Sequence, residues 1–223
     1  MSDALKGLKT ALKHQQKGDH AKAAALLRKV LKRHPDNADA LHLLGLSLHA
    51  DGRHDDALAS IERAIAVQPG EAMFHTNAGA VAMALGDAGH AAEHHRRAIV
   101  LDPAHADAHN NLAIVLERQG AWDEAEAHLL KAIALKPDFA NAHGNLGNVL
   151  RRQGRLEEAE ASYHRALDIA PDLVEVHNSL GNAMRYMGRH DEALARFERA
   201  IELDPGYAEA HANRGMALAA SGY

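Results

Sequence analysis

Cysteine is absent from the 223 residues. Disulfides and thiolate metal ligands are therefore excluded, and a reducing cytoplasm is the expected location. Aromatic residues are nearly as scarce, at 4% of a chain that is 47% hydrophobic. Alanine and leucine carry the apolar surface instead, a mixture that suits closely packed helices better than sheet. No apolar run reaches the roughly 18 residues of a membrane-crossing helix, and the opening "MSDALKGLKTALKHQQKGDH" has lysines throughout, unlike a signal peptide. A membrane is not an expected partner. Catalytic signatures are lacking too: there is no glycine-rich phosphate loop, no Gly-x-Ser-x-Gly elbow and no His-Glu-x-x-His. Neither an enzyme nor a cofactor is expected.

The net charge of −5 is unevenly spread. Residues 1–34 hold nine Lys/Arg against Asp3 and Asp19, a local +7 that leaves −12 for the rest. A nucleic-acid binder would extend positive charge over a whole face and add aromatics for stacking. Nucleic acid is thus not expected, and the basic end reads as a solvated cap.

Proline is also rare, and its six positions are regular. Pro35, Pro69, Pro103, Pro137, Pro171 and Pro205 stand at a constant step of 34. Gly18, Gly52, Gly86, Gly120, Gly154, Gly188 and Gly222 keep the same step, as do Ala23, Ala57, Ala91, Ala125, Ala159 and Ala193. A second small series runs through Ala11, Gly45, Gly79, Ala113, Gly147, Gly181 and Gly215. Proline ends a helix or opens the next, whereas a glycine between two apolar-periodic stretches closes a helix C-terminus. Apolar residues follow helical spacing both from Pro103 to Gly120 and from Gly120 to Pro137. Each period predicts helix, tight turn, helix, with the small residues marking close helix approach.

These marks resemble the tetratricopeptide repeat. In "HGNLGNVLRRQGRLEEAEASYHRALDIAPD" the residues Leu146, Gly147, Ala159, Tyr163, Ala166 and Pro171 carry the resemblance, although His75, His109, His143, His177 and His211 stand where the family commonly has an aromatic. The implied fold is an all-α α-solenoid, a right-handed superhelix with first helices lining the concave side. One array over 1–223 is expected, with repeats 4–37, 38–71, 72–105, 106–139, 140–173 and 174–207 and a lone first helix at 208–221.

Asparagine is a poor helix-interior residue, yet Asn77, Asn111, Asn145 and Asn213 recur one residue before the Leu-Gly position, with Ser179 filling the gap. First helices stacked about 8–10 Å apart would turn these amides into a ladder along an extended peptide, each offering a donor and an acceptor. The alternative is that they, with Asn148, Asn178 and Asn182, bond neighbouring helices or turns. The closest pattern within the family is that of O-linked N-acetylglucosamine transferases, where the resemblance implies a ladder holding extended polypeptide. Arg118, Arg151, Arg152 and Arg185 lie a turn further along, suited either to a carboxylate-bearing segment or to the helix dipole, with Glu117 among them. The family's carboxylate clamp has a lysine where Gly144 and Asn178 stand, so capture of chaperone tails is not expected.

A partner protein or peptide, with an acidic one fitting the arginines, is the leading expectation. A substrate-recruiting arm of a larger glycosyltransferase-like enzyme is the alternative, and a self-assembling structural protein the second. The last repeat stops after one helix, which implies either a longer parent or end-to-end association through that helix. The 34-step histidines are too far apart to share a metal and are expected to pack as half-buried rings. His90 and His94 share a helix face without an evident third ligand, so no metal site is assigned. "DDA", "DEA" and "EEA" place Asp55, Asp56, Asp123, Glu124, Glu157, Glu158, Asp191 and Glu192 at second-helix starts, where acidic residues favour the dipole.

Overall fold

Each helix pair is joined through a glycine in left-handed backbone. In the computed structural model, which describes residues 3–221, Gly18, Gly52, Gly86, Gly120, Gly154 and Gly188 have φ between 77° and 80°, a conformation costly to residues with a Cβ. Gly222 lies outside the described residues. At Gly52 the backbone N–H donates to His49 O at 2.9 Å and Arg53 N–H reaches back to Leu48 O, also at 2.9 Å. This double closure satisfies carbonyls that the helix end leaves unpaired.

Proline sets the other boundary. The residue before each one, at His34, Gln68, Asp102, Lys136, Ala170 and Asp204, has φ between −135° and −138°. That is the extended backbone the following ring imposes, and the helix stops one residue earlier. The acidic pairs predicted to start second helices lie in the first turns of those helices.

Thirteen α-helices and no strand form among the described residues. The first helices are α1 (Asp3–Gln16), α3 (Ala38–Ala50), α5 (Ala72–Ala84), α7 (Ala106–Arg118), α9 (Ala140–Arg152), α11 (Val174–Tyr186) and α13 (Ala208–Ser221). The second helices are α2 (His20–Arg33), α4 (His54–Val67), α6 (Ala88–Leu101), α8 (Trp122–Leu135), α10 (Leu156–Ile169) and α12 (His190–Leu203).

The chain falls into two compact units, Met1–Val115 and Leu116–Tyr223, with the boundary inside α7. In the first, each helix from α1 to α6 packs on the next, and α1, α3 and α5 touch in turn. In the second, α8 to α13 pack in the same serial way, and α9, α11 and α13 touch in turn. Elements that meet only near neighbours define an α-solenoid.

The small residues work as expected. Ala23, Ala57, Ala91, Ala125, Ala159 and Ala193 are all fully buried. A Cβ at Gly147 would stand 2.5 Å from Tyr163 Cε1, and one at Gly181 would stand 2.6 Å from Phe197 Cε1. Gly45 receives Ile61 in the same way, and Gly79 receives His95. Burial of such side chains stabilises by about 1.5–3 kcal/mol each, and the missing Cβ is what lets the helices approach closely enough to gain it.

Candidate functional site

Two first helices of the second unit carry asparagine and arginine three residues apart, which places each pair on one helix face. On α9 these are Asn148 and Arg151, and on α11 they are Asn182 and Arg185, all four partly exposed. Tyr163 reaches this face from α10. Its ring is fully buried, and its hydroxyl donates to Asn148 Oδ1 at 2.8 Å while also bonding the side chains of Arg151 and Ser179. Burial pushes the phenol pKa up, so the hydroxyl keeps its proton and links α9 to α11. Arg185 Nη2 donates to Asn182 Oδ1 at 3.4 Å, and its guanidinium lies 4.7 Å from the centre of the exposed Tyr186 ring. The Nε atoms of Arg151 and Arg185 are buried without an acceptor. An unspent donor of that kind is costly; since it is buried, an arriving carboxylate would meet the partly exposed remainder of each guanidinium instead.

Arg118 and Arg152 come together in a separate depression of about 360 Å³ lined also by Glu117, Gly120 and Trp122. Arg152 Nε stands 3.3 Å from Glu117 Oε1, so part of the basic charge is already offset. Arg152 is exposed and Glu117 half-buried, so solvent on the arginine side keeps the contribution of the pair small.

The remaining asparagines differ in surroundings. Asn145 is partly exposed on α9. Asn178 and Asn213 are 2% and 6% exposed, and Asn213 Nδ2 donates to Asn178 Oδ1 at 2.8 Å. In the first unit, Asn77 Nδ2 lies 2.7 Å from His42 Nε2, and Asn111 Oδ1 accepts from Asn110 Nδ2 at 3.1 Å. His42 is itself buried against Phe74, with ring centroids 4.6 Å apart, and burial lowers its pKa. It therefore serves Asn77 as a neutral acceptor.

The recurrent histidines have a bonding role that sequence reasoning missed. Nε2 of His109, His143, His177 and His211 lies 3.2, 3.0, 2.8 and 3.0 Å from the carbonyl of Pro103, Pro137, Pro171 and Pro205, and His75 bonds Pro69 likewise. A carbonyl only accepts, so Nε2 carries the proton and Nδ1 keeps the lone pair. His75, His109 and His177 are buried, His143 is half-buried and His211 is exposed; the constant feature is the clip to the proline loop. The six-residue offset from proline to histidine was the available signal.

Serial helix pairs closed by glycine and proline place the chain among helical-repeat proteins. The repeats themselves are tetratricopeptide repeats: models of that family match residues 8–73, 96–127, 118–154 and 138–206. Among solved structures, the Cut9–Hcn1 hetero-tetramer of the APC/C superposes with a TM-score of 0.88 at 19% identity, over 96% of this chain and 43% of that one. This chain thus spans under half the length of that relative. PilW, a type IV pilus biogenesis factor, gives 0.85 at 20% identity over 95% and 99% of the two chains. A thermophilic tetratricopeptide-repeat protein of Thermus thermophilus gives 0.69 at 28% identity over 82% and 99%. No curated protein matches. Among the described residues, no helix is long and apolar enough to cross a membrane.

Proposed function

We propose that the chain is a non-catalytic, cytoplasmic protein-interaction scaffold whose first helices hold an extended, acidic polypeptide segment. The observation that carries this reading is the repeated pair on successive first helices, Asn148 with Arg151 and Asn182 with Arg185, all four partly exposed. Guanidinium groups bind carboxylates through paired, charge-assisted hydrogen bonds, while amides beside them offer a donor and an acceptor to peptide backbone. Arg118 and Arg152 add positive charge beside Trp122 in the same unit. In this reading Asn145, Asn148 and Asn182 meet the ligand in the second unit, and Asn77 and Asn111 act alike in the first. The Asn178–Asn213 pair holds α11 to α13 in register. The likeness of the asparagine spacing to O-linked N-acetylglucosamine transferases supports extended polypeptide as the ligand and keeps a recruiting arm as the alternative.

The test is a fluorescence-anisotropy titration of the full chain with labelled acidic, neutral and basic peptides of equal length, with light scattering alongside to read self-association. The acidic peptide should bind tightest. Arg151→Ala and Arg185→Ala should each weaken it by about tenfold or more, the worth of a hydrogen bond to a charged group. Equal affinity for all three peptides, or unchanged affinity in both variants, would remove the arginine pairs from the account.

A further inference from the structure

Two histidines 19 residues apart in sequence meet with ring nitrogens facing. His75 on α5 and His94 on α6 hold their Nδ1 atoms 3.3 Å apart, with ring centroids 5.5 Å apart and planes tilted by 41°. His75 also hydrogen-bonds the Pro69 backbone; a proline offers only its carbonyl there, and with Nδ1 turned to His94 the donor left to His75 is Nε2–H, which leaves its Nδ1 a lone pair.

That spacing has a chemical meaning. Two imidazoles bound to one zinc ion at about 2.0–2.1 Å, with a tetrahedral angle between them, hold their donor nitrogens about 3.3–3.4 Å apart. The separation of His75 and His94 already matches. Metal-ligating imidazoles also commonly give their second nitrogen to a backbone carbonyl, which fixes both tautomer and ring orientation; the proline clip supplies this for His75. The surrounding charge is mixed. Glu62 and Glu93 favour positive charge at His94 and His90 opposes it, while Arg97 opposes it at His75. His75 is buried and His94 half-buried, so the pair is open to solvent on the α6 side.

We infer that His75 and His94 form a two-imidazole seat for a divalent transition-metal ion of the zinc class. Among the described residues no third His, Cys, Asp or Glu completes a protein ligand set, so water fills the other positions. Without metal, His94 Nδ1–H donates to His75 Nδ1; with metal, His94 takes its other neutral tautomer, the proton on Nε2 and the Nδ1 lone pair on the ion. The pairing of His90 with His94 that helical spacing offers is not the one used: His90 Nδ1 is instead 2.9 Å from Asp87 Oδ2. His49 and His54 also face each other, with Nδ1 atoms 3.0 Å apart, and serve as the internal comparison.

The experiment adds Zn²⁺ to the full chain near pH 7.5, where both imidazoles are neutral, and follows ring ¹⁵N shifts by long-range ¹H–¹⁵N NMR. The Nδ1 signals of His75 and His94 should move together on one binding curve while those of His90 and His143 stay in place. His75→Gln and His94→Gln should each weaken Zn²⁺ binding by about tenfold or more, at least what loss of an outer-shell partner costs. Static His75 and His94 signals, or movement at His90 or at His49 and His54 alone, would overturn the inference, and so would variants that bind Zn²⁺ as the parent does. The shifts of the parent protein decide the matter even where a variant folds poorly.

Discussion

Leu116–Tyr223 ties successive second helices together with arginine forks, whereas Met1–Val115 relies on imidazoles. Arg155, the residue before α10, spans from Glu126 on α8, with Nη1 contacts of 2.9 and 2.7 Å, to Glu158 in the first turn of α10 at 2.7 Å. Arg189 repeats the fork one period later, to Glu160 at 2.7 Å and to Glu192 at 2.7 and 2.6 Å. Arg53 occupies the equivalent place in the first unit but grips only Asp56, because Ala24 stands where the second unit has Glu126 and Glu160. The first unit instead pairs His75 with His94, His49 with His54 and His42 with Asn77. Lowered pKa values mark His42, His49, His75, His94 and His95 there, and His177 in the second unit. A guanidinium stays charged at any ordinary pH, whereas a buried imidazole holds only while neutral. One unit therefore answers to salt and the other to acid.

The contrast breaks hardest at the slot facing each packing glycine. Phe197→Ala empties a fully buried site against Gly181 and should cost about 3–5 kcal/mol, seen as a lower urea midpoint and as faster hydrogen exchange in α11 and α12. In the first unit the same slot, against Gly79, holds His95, 1% exposed and with its Nδ1 unpartnered. Burial, with His94 and His105 nearby, pushes its pKa down from 6.5 to about 4. The folded unit thus holds the neutral ring, while the unfolded chain takes up a proton near 6.5. Its stability should be full above that pH and should fall between pH 6.5 and about 4, by roughly 3 kcal/mol in all. Urea midpoints taken across that window would show the loss in hydrogen exchange of α5 and α6 before α11 and α12. His95→Leu should flatten the acid response and raise the midpoint at neutral pH, since it replaces an unsatisfied polar ring with an apolar side chain of similar reach. Unaltered pH dependence in that variant would shift the cause to His75 and His94. The smallest effect belongs to Glu126→Gln, which removes one arm of the Arg155 fork. It should lower Tm by no more than a few degrees, and less in high salt.

Helix boundaries were legible because proline and glycine act locally: a missing N–H or a left-handed φ ends a helix whatever packs around it. The small-residue series likewise announced close approach at Gly147 and Gly181, although not that His95 would occupy the slot in the third repeat. Long-range polar contacts were less readable. Arg155 and Glu126 lie 29 residues apart and His75 and His94 lie 19 apart, offsets that follow from how helices stack and not from any one helix's period. Asn178 shows the same limit: its sequence resembles the exposed first-helix amides, yet it is buried against Asn213. Glu117 was legible as a member of the glycine-end cluster that the 34-step aligns, although its pairing with Arg152 in particular was not.

The uniform junctions carry one more consequence. Every period begins and ends in backbone of the same conformation, so excising residues 140–173 and joining Phe139 to Val174 would recreate a junction the chain already contains. Such a polypeptide can lengthen or shorten by whole words without respelling any of them, which gives recombination a means of changing its reach that point mutation lacks.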